Sequence, residues 1–364
     1  MSALVPELVT DILLRLPVSS LLRFRCVSRS LCTEIDSENF VKNHLNRSIQ
    51  TETRQKLVIY NELSINGIYV ADFDDDLADA FPLNRPLISR HHKTPVYGYC
   101  NGLILFGPDL AIWNPFTRRY KKLPRPDESN ARFVCSGLGY DSARDDYMIV
   151  LISEVHRWCH QVWIFGLKSD FWRRSRDLND DLIYDASPWA LGHFASGALY
   201  WAWKIKNKCA GFDLAKEVFF DIPLPSDCIP KSIFWDSLVV FGGNVYCPTL
   251  HDGTVEYNLL VSEDKGGDVV GVSWRKEFTM ENVTTIMSDV FPPRPLAYSK
   301  DRNSILLGEV RGVFWHNLEN RTKQRMDIAG HPVKRGYRYN VCWENLVSVG
   351  KDSAFDGAAE EVTN

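Results

Sequence analysis

From residue 51 to about residue 350 the sequence repeats itself, and this repeat constrains the fold more than any other feature. One unit reads CNGLILFGPDLAIWNPFTRRYKKLP (100–124), and a later one reads ASGALYWAWKIKNKCAGFDLAKEVFFDIPLP (195–225). Each has a turn glycine (Gly102, Gly197), an apolar strand, a loop, and a second apolar strand ending at Asn114-Pro115 or Asp213-Leu214. A third strand then closes on Leu-Pro. The same logic runs through GLGYDSARDDYMIVLI (137–152) with VWIFGLKSDFWRR (162–174), through FGGNVYCPTLHDGTVEYNLL (241–260), and through 296–328. Short runs rich in Val, Ile, Phe, Tyr and Trp, separated by Gly, Asn, Asp and Pro, predict strands. The matching turns near 114, 166, 213 and 317 recur at one or two multiples of about 50 residues. That period, with several strands per unit, predicts a mainly β domain over 51–350. The expected form is a kelch-like β-propeller of about six irregular blades. An irregular propeller or a β-sandwich is the alternative.

Residues 1–45 have a helical texture. Pro6 suits a first helical position, where its missing N–H costs little. Leu8, Ile12 and Leu16 fall at i, i+4 and i+8, one apolar stripe. Pro17 ends that helix. Ser19 is expected to cap a second helix through Leu21, Leu22 and Phe24 towards Val27, with Arg23 and Arg25 on its wetter side. Ser28 opens a third helix carrying Leu31 and Ile35. Asp36 or Ser37 opens a fourth, carrying Phe40, Val41 and Leu45. So small a segment is marginal alone, yet it is more apolar than one small bundle needs. Its stripe is completed either by another protein or by the rest of its own chain, and the pattern does not choose between them.

Glu7, Asp11 and Arg15 interrupt the apolar run, which speaks against an export signal. No window supplies the ~20 apolar residues of a membrane helix, so no membrane insertion is expected. The chain has 364 residues, 45% hydrophobic and 24% charged, with a formal net charge of −4. No global basic field points to nucleic acid. The 9 cysteines follow no framework of spacings and read as free thiols of a reducing compartment. Asn46, Asn282 and Asn320 match the glycosylation pattern by coincidence on that reading. Residues 351–364 (KDSAFDGAAEEVTN) read as a disordered tail.

Residues that could carry chemistry have simpler readings. His156, Cys159 and His160 lack the paired spacing and fourth ligand of structural zinc, so no metal or other cofactor is expected. The acidic run 72–79 lacks the glycine and terminal glutamate of a calcium loop and reads as a solvated connection. His91-His92 read as solvent-facing. Gly137, Gly139 and Gly242-Gly243 read as hairpin turns rather than a phosphate cradle. There is no GxSxG elbow and no convincing nucleophile–base pair, so no enzyme is expected. Trp113, Trp163, Trp172, Trp201, Trp203, Trp274 and Trp315 read mostly as core between blades.

The N-terminal stretch resembles an F-box. Val5-Pro6-Glu7-Leu8, Leu14-Arg15-Leu16-Pro17 and Leu21-Leu22-Arg23-Phe24-Arg25-Cys26-Val27-Ser28-Arg29 carry the likeness. Leu31 stands where many members have Trp, which keeps an apolar plug but loses a large aromatic. The remainder resembles the plant F-box-associated interaction domain, with kelch-like character, through CNGLILF, IWNPFTRRYKKLP, GLGYDSARDDY, GALYWAW, FDLAKEVFFDIPLP and PLAYSKDRNSILL. The resemblance implies a substrate receptor of a cullin-based ubiquitin ligase. The F-box would bind a Skp-type adaptor, and through it the cullin and RING subunits, while the β domain holds a target protein. It implies a place in the cytoplasm or nucleus. On the same ground Pro6, Leu8, Ile12, Leu16, Pro17, Leu21, Leu22 and Val27 are candidates for the adaptor interface or its immediate support. The competing readings are a non-ligase protein- or glycan-binding propeller and an enzyme on a propeller. The first predicts that removing residues 1–45 destabilises the β domain, and the receptor reading predicts that it does not.

Overall fold

The computed structural model describes residues 6–350 apart from 62–67, 73–78, 84–94, 108, 127–131, 157–158, 176–189, 204–207, 226–237, 252–253, 265–269, 282–291, 310–311 and 331–336. The expected tail (351–364), His91-His92 and most of the acidic run 72–79 lie outside the described residues.

Four helices open the chain: α1 (Pro6–Leu14), α2 (Val18–Phe24), α3 (Arg29–Ile35) and α4 (Glu38–Gln50). Ser28 and Ser37 cap α3 and α4 as their sequence predicts, accepting from the Leu31 and Phe40 amides at 3.2 Å each. Helix α4 continues past Leu45 to Gln50. Helix α2 begins without help from Ser19. Its N-cap position is Pro17, which offers no side-chain acceptor.

The β part is built from sheets that are antiparallel except where β8 and β12 pair. The first holds β1 (Gln55–Asn61), β2 (Ile68–Asp72) and β3 (Ala80–Pro82), and the second β4 (Val96–Cys100), β5 (Leu103–Phe106), β6 (Ala111–Asn114) and β7 (Arg119–Lys122). An eight-stranded sheet follows. One half is β8 (Arg132–Asp141), β9 (Asp146–His156), β10 (Cys159–Gly166) and β11 (Phe171–Arg174). The other is β12 (Ala190–Ala195), β13 (Ala198–Trp203), β14 (Lys208–Asp213) and β15 (Val218–Pro223). The next sheet holds β16 (Val239–Phe241), β17 (Asn244–His251), β18 (Thr254–Asp264) and β19 (Val270–Met280). The last holds β20 (Arg294–Tyr298), β21 (Ser304–Glu309), β22 (Gly312–Asn317) and β23 (Lys323–Met326). Strand β24 (Tyr337–Trp343) returns to the first sheet and pairs antiparallel with β1, from Gln55↔Trp343 to Asn61↔Tyr337.

The arrangement is propeller-like. Strands β4, β8, β12, β16, β20 and β24 lie against one another in succession. A cavity of about 380 Å³ lies among them, lined by Tyr99, His193, Phe241, Tyr298 and Asn340. Apolar clusters fill the spaces between neighbouring sheets, one around Leu105, Leu138 and Phe165, another around Val150, Leu199 and Phe212. Packing of sheet on sheet removes both faces of the middle strands from water, so strands such as Leu103–Phe106 are apolar throughout.

The repeat has a physical origin in one recurring turn. Asn114, Asp141, Asp213 and Asn317 each accept with Oδ1 from two amides, those two and three residues on. Four residues past each lies a residue with left-handed backbone: Arg118, Asp145, Glu217 and Arg321. A short Asx side chain closes such a turn on its own backbone. Prolines at the ends of the outer strands have a partner too. Trp172 and Trp274 donate their indole N–H to the Pro124 and Pro223 carbonyls, each at 2.6 Å, joining neighbouring outer strands.

Two glycines depart from the expectation. Gly242-Gly243 do form the β16–β17 turn, with φ of 56° and 77°. Gly137 and Gly139 instead lie within β8. A Cβ on Gly137 would stand 2.8 Å from Leu199 Cδ1, and one on Gly139 would stand 2.6 Å from Leu214 Cδ1. Both positions are bare because the neighbouring half of the sheet approaches so closely there.

Candidate functional site

The helices carry the candidate surface, and burial divides the predicted residues into two groups. Leu8 (54% exposed), Ile12 (50%) and Val27 (69%) present apolar side chains to solvent. Pro6 and Pro17 are exposed as well. Leu21 is fully buried, and Leu16 and Leu22 pack half-buried against the same core of Leu13, Val18, Ile35 and Phe40. These last three support the surface from within. Phe24, 39% exposed, belongs with the outer group. The sequence reading placed it on the apolar run of the second helix but not among the interface candidates. Leu8 and Ile12 lie one turn apart on α1. Val27 donates its amide to the Phe24 carbonyl at 3.0 Å, which places those two one turn apart at the end of α2. Isolated exposed leucines are common on proteins. Four large apolar residues exposed on so small a bundle are not.

The inner side of the bundle is shared with the β domain. Leu346 belongs to the helical core, and Phe116 from the β6–β7 turn packs against it. The Val18 amide donates to Glu344 Oε2 at 2.9 Å. Glu344 Oε1 pairs with Lys56 Nζ at 2.9 Å. Arg54 Nη1 donates to the Leu14 and Leu16 carbonyls at 3.1 and 3.0 Å, satisfying the end of α1. The apolar excess of the helices therefore has two destinations, the chain's own β domain and solvent. Deleting residues 1–45 would uncover Leu346 and Phe116 whatever the protein does, so that deletion does not separate the two readings.

Helix α4 meets the β domain at ionic contacts. Asp145 accepts from Lys42 at 3.0 Å and Lys168 at 3.3 Å. With the Tyr140 hydroxyl, these partners hold its carboxyl down at about 2. Beside them a cavity of about 470 Å³ lies between α4 and the β8–β9 turn, walled by Val41, Leu45, Tyr147, Leu167 and Val347.

His44 is buried and donates from Nε2 to the Leu16 carbonyl at 2.9 Å. Burial lowers its pKa below the ordinary 6.5, and the Arg54 charge adds to this against the opposing pull of the Leu16 carbonyl. Below about pH 6.5 the unfolded chain takes up a proton that the folded chain resists, so stability falls with pH there and is fully present above it. One such group contributes at most about 1.4 kcal/mol per pH unit. His44→Gln keeps a donor for Leu16 and should show a smaller drop in urea midpoint between pH 7.5 and 5.5 than the parent chain.

Of the zinc-like trio, the Cys159 side chain lies outside the described residues. His156 is exposed at the end of β9, while His160 is buried in β10. Among the described residues no group of three His, Cys, Asp or Glu side chains is placed to hold a metal ion. Among those residues, too, no helix is long and apolar enough to cross a membrane.

Comparison with known proteins agrees with this division. Residues 1–43 match the F-box domain, and residues 80–282 match the F-box associated beta propeller domain. The F-box protein CPR1 of Arabidopsis thaliana is 29% identical over 91% of this chain and 86% of its own length. The F-box protein At4g22390 of the same plant is 26% identical over 94% of this chain and 89% of its own. The Arabidopsis F-box/kelch-repeat protein At3g23880 is 28% identical over 61% of this chain and 65% of its own. An F-box implies binding of a Skp-type adaptor, and the two modules together fit a substrate receptor of such ligases. The chain belongs to the F-box proteins that carry an F-box associated beta propeller domain.

Proposed function

We propose that this protein is the substrate-recognition subunit of a Skp/cullin/F-box ubiquitin ligase. The exposed apolar group Leu8, Ile12, Phe24 and Val27 carries the reading. With Pro6 and Pro17 it forms the adaptor contact, while Leu16, Leu21 and Leu22 hold it in place. Cullin and RING subunits join through the adaptor. The chain itself needs no nucleophile for this. It holds a target protein near activated ubiquitin and so turns a bimolecular encounter into an effectively unimolecular one. Such a receptor acts in the cytoplasm or the nucleus, where its ligase is.

The β domain takes the target, and we read it as a six-bladed ring. The eight-stranded sheet divides into two four-strand halves, joined among the described residues by the three parallel pairs Ala190↔Cys135, Leu191↔Ser136 and Gly192↔Gly137. Each half then has the strand count of the other sheets. The helices meet the ring at the β6–β7, β8–β9 and β10–β11 turns. Strands alternate in direction, so the connections from one sheet to the next leave from the opposite end, which is the target side.

The shared core of Leu346 and Phe116 favours a second reading, a non-ligase binding propeller with an internal helical cap. An internal cap has no use for the outer apolar group. Co-purification of the full chain with a Skp-type adaptor tests the choice. Stoichiometric capture supports the receptor, and failure with every adaptor offered overturns it.

A further inference from the structure

We propose that Glu344 is a positioning residue that couples closure of the β ring to the adaptor surface. The inference rests on the receptor reading and adds a residue far from the helices in sequence.

The argument begins at the α1–α2 corner, Leu14 to Val18. This corner sets the relation between Leu8 and Ile12 on one side and Phe24 and Val27 on the other. The first amides of any helix need acceptors from outside it. Val18 is 1% exposed, so water does not serve, and Pro17 has no acceptor side chain. The Glu344 carboxylate meets the Val18 amide instead, a charge-assisted bond at the positive end of the helix. At the other side of the corner, Arg54 and His44 take the Leu14 and Leu16 carbonyls.

Glu344 itself is fixed by ring closure. It is buried and directly follows β24, and its amide donates to the Arg54 carbonyl at 3.2 Å. Lys56, its ionic partner, lies in β1 opposite Cys342 of β24. The adjoining residues are equally committed. Asn345 donates to the Asn101 carbonyl at 2.7 Å and accepts from Asn114 at 2.8 Å, while Leu346 enters the helical core. When β24 and β1 pair, the carboxylate stands under α2. When they part, α2 loses its cap and the corner loses its seat. Adaptor affinity then depends on closure, and by reciprocity adaptor binding must favour closure.

The full-length chain tests this in two measurements. The first is affinity for a purified Skp-type adaptor, for the wild type and for Glu344→Ala and Glu344→Gln. Glu344→Ala changes no outer residue, yet it should weaken binding about tenfold, as expected for a lost buried charge-assisted bond. Glu344→Gln keeps an acceptor and should lose less. Equal affinity of a cooperatively folded Glu344→Ala overturns the inference and leaves the receptor reading standing. A wild type that binds no adaptor overturns both. The second measurement needs no variant, and so decides the matter even where Glu344→Ala fails to fold. Saturating adaptor should slow amide exchange in 55–61 and 337–343 of the wild type as well as in α1 and α2. Protection confined to the helices overturns the coupling.

Discussion

Leu8→Asp combined with Ile12→Asp should abolish adaptor capture while the chain still melts as one cooperative unit. Both side chains are about half exposed in the free protein, so charge there meets water and costs the fold little. In a docked complex the same positions lose their water. An unpaired carboxylate buried at an apolar contact costs several kcal/mol, and two of them lower affinity by at least about a hundredfold. The choice of positions decides whether the experiment is informative. Leu16 continues the same sequence stripe, but it is half-buried against Leu13 and Phe40. Aspartate at Leu16 would damage the core, and loss of binding would then mean nothing. The measurement is co-purification with a Skp-type adaptor beside a thermal melt of the same preparation. Retained capture by a folded double variant would place the adaptor contact elsewhere.

The Phe24 position extends this prediction. It is less exposed than Leu8, so Phe24→Asp should weaken capture with a larger penalty to stability. Graded loss along Leu8, Ile12, Phe24 and Val27 would define the contact by its own side chains rather than by likeness to a family.

What the sequence disclosed and what it hid follow from the range of the interactions involved. The stripe Leu8, Ile12, Leu16 was legible because helical spacing is local. Ser28 and Ser37 were legible because a cap sits within three residues of the amide it serves. Ser19 misled for the same reason: the true partner of the Val18 amide is 326 residues away. Burial within the stripe was also hidden, since periodicity gives a face but not what covers it. Phe24 and Leu21 look alike in a helical run, and only the position of Leu346 and its neighbours separates them. The turns at Asn114, Asp213 and Asn317 were legible because an Asx residue closes them from inside the loop. Gly137 and Gly139 were not. Glycine marks both turns and close approaches, and the crowding by Leu199 and Leu214 comes from a distant strand. The closing strand β24 had no hairpin partner to announce it. Its partner β1 lies at the other end of the β domain.

The seam at which two halves of the eight-stranded sheet meet makes Trp201→Ala the largest single loss of stability to be expected. Among the described residues, three residue pairs join β8 to β12. The Trp201 indole fills the space beside them. It is 0% exposed, packs with Phe219, and donates its N–H to the Ser136 carbonyl at 3.2 Å. Gly192 on β12 is bare to admit it: a Cβ there would stand 2.7 Å from the indole ring. Truncation to alanine leaves a cavity and removes the indole bond to Ser136 in one step. Cavities of this kind cost about 3–5 kcal/mol, against a total of about 5–15 kcal/mol for a typical protein. The urea midpoint should fall accordingly. Trp201→Phe, which restores most of the volume without the N–H, should recover much of the difference. At low temperature, where the weakened chain is still folded, Leu8 and Ile12 are unchanged and the adaptor should still be captured. Trp201 thus loads the ring without touching the surface, whereas Leu8 and Ile12 load the surface without touching the ring. Measured together, the two variants separate stability of the receptor from its docking.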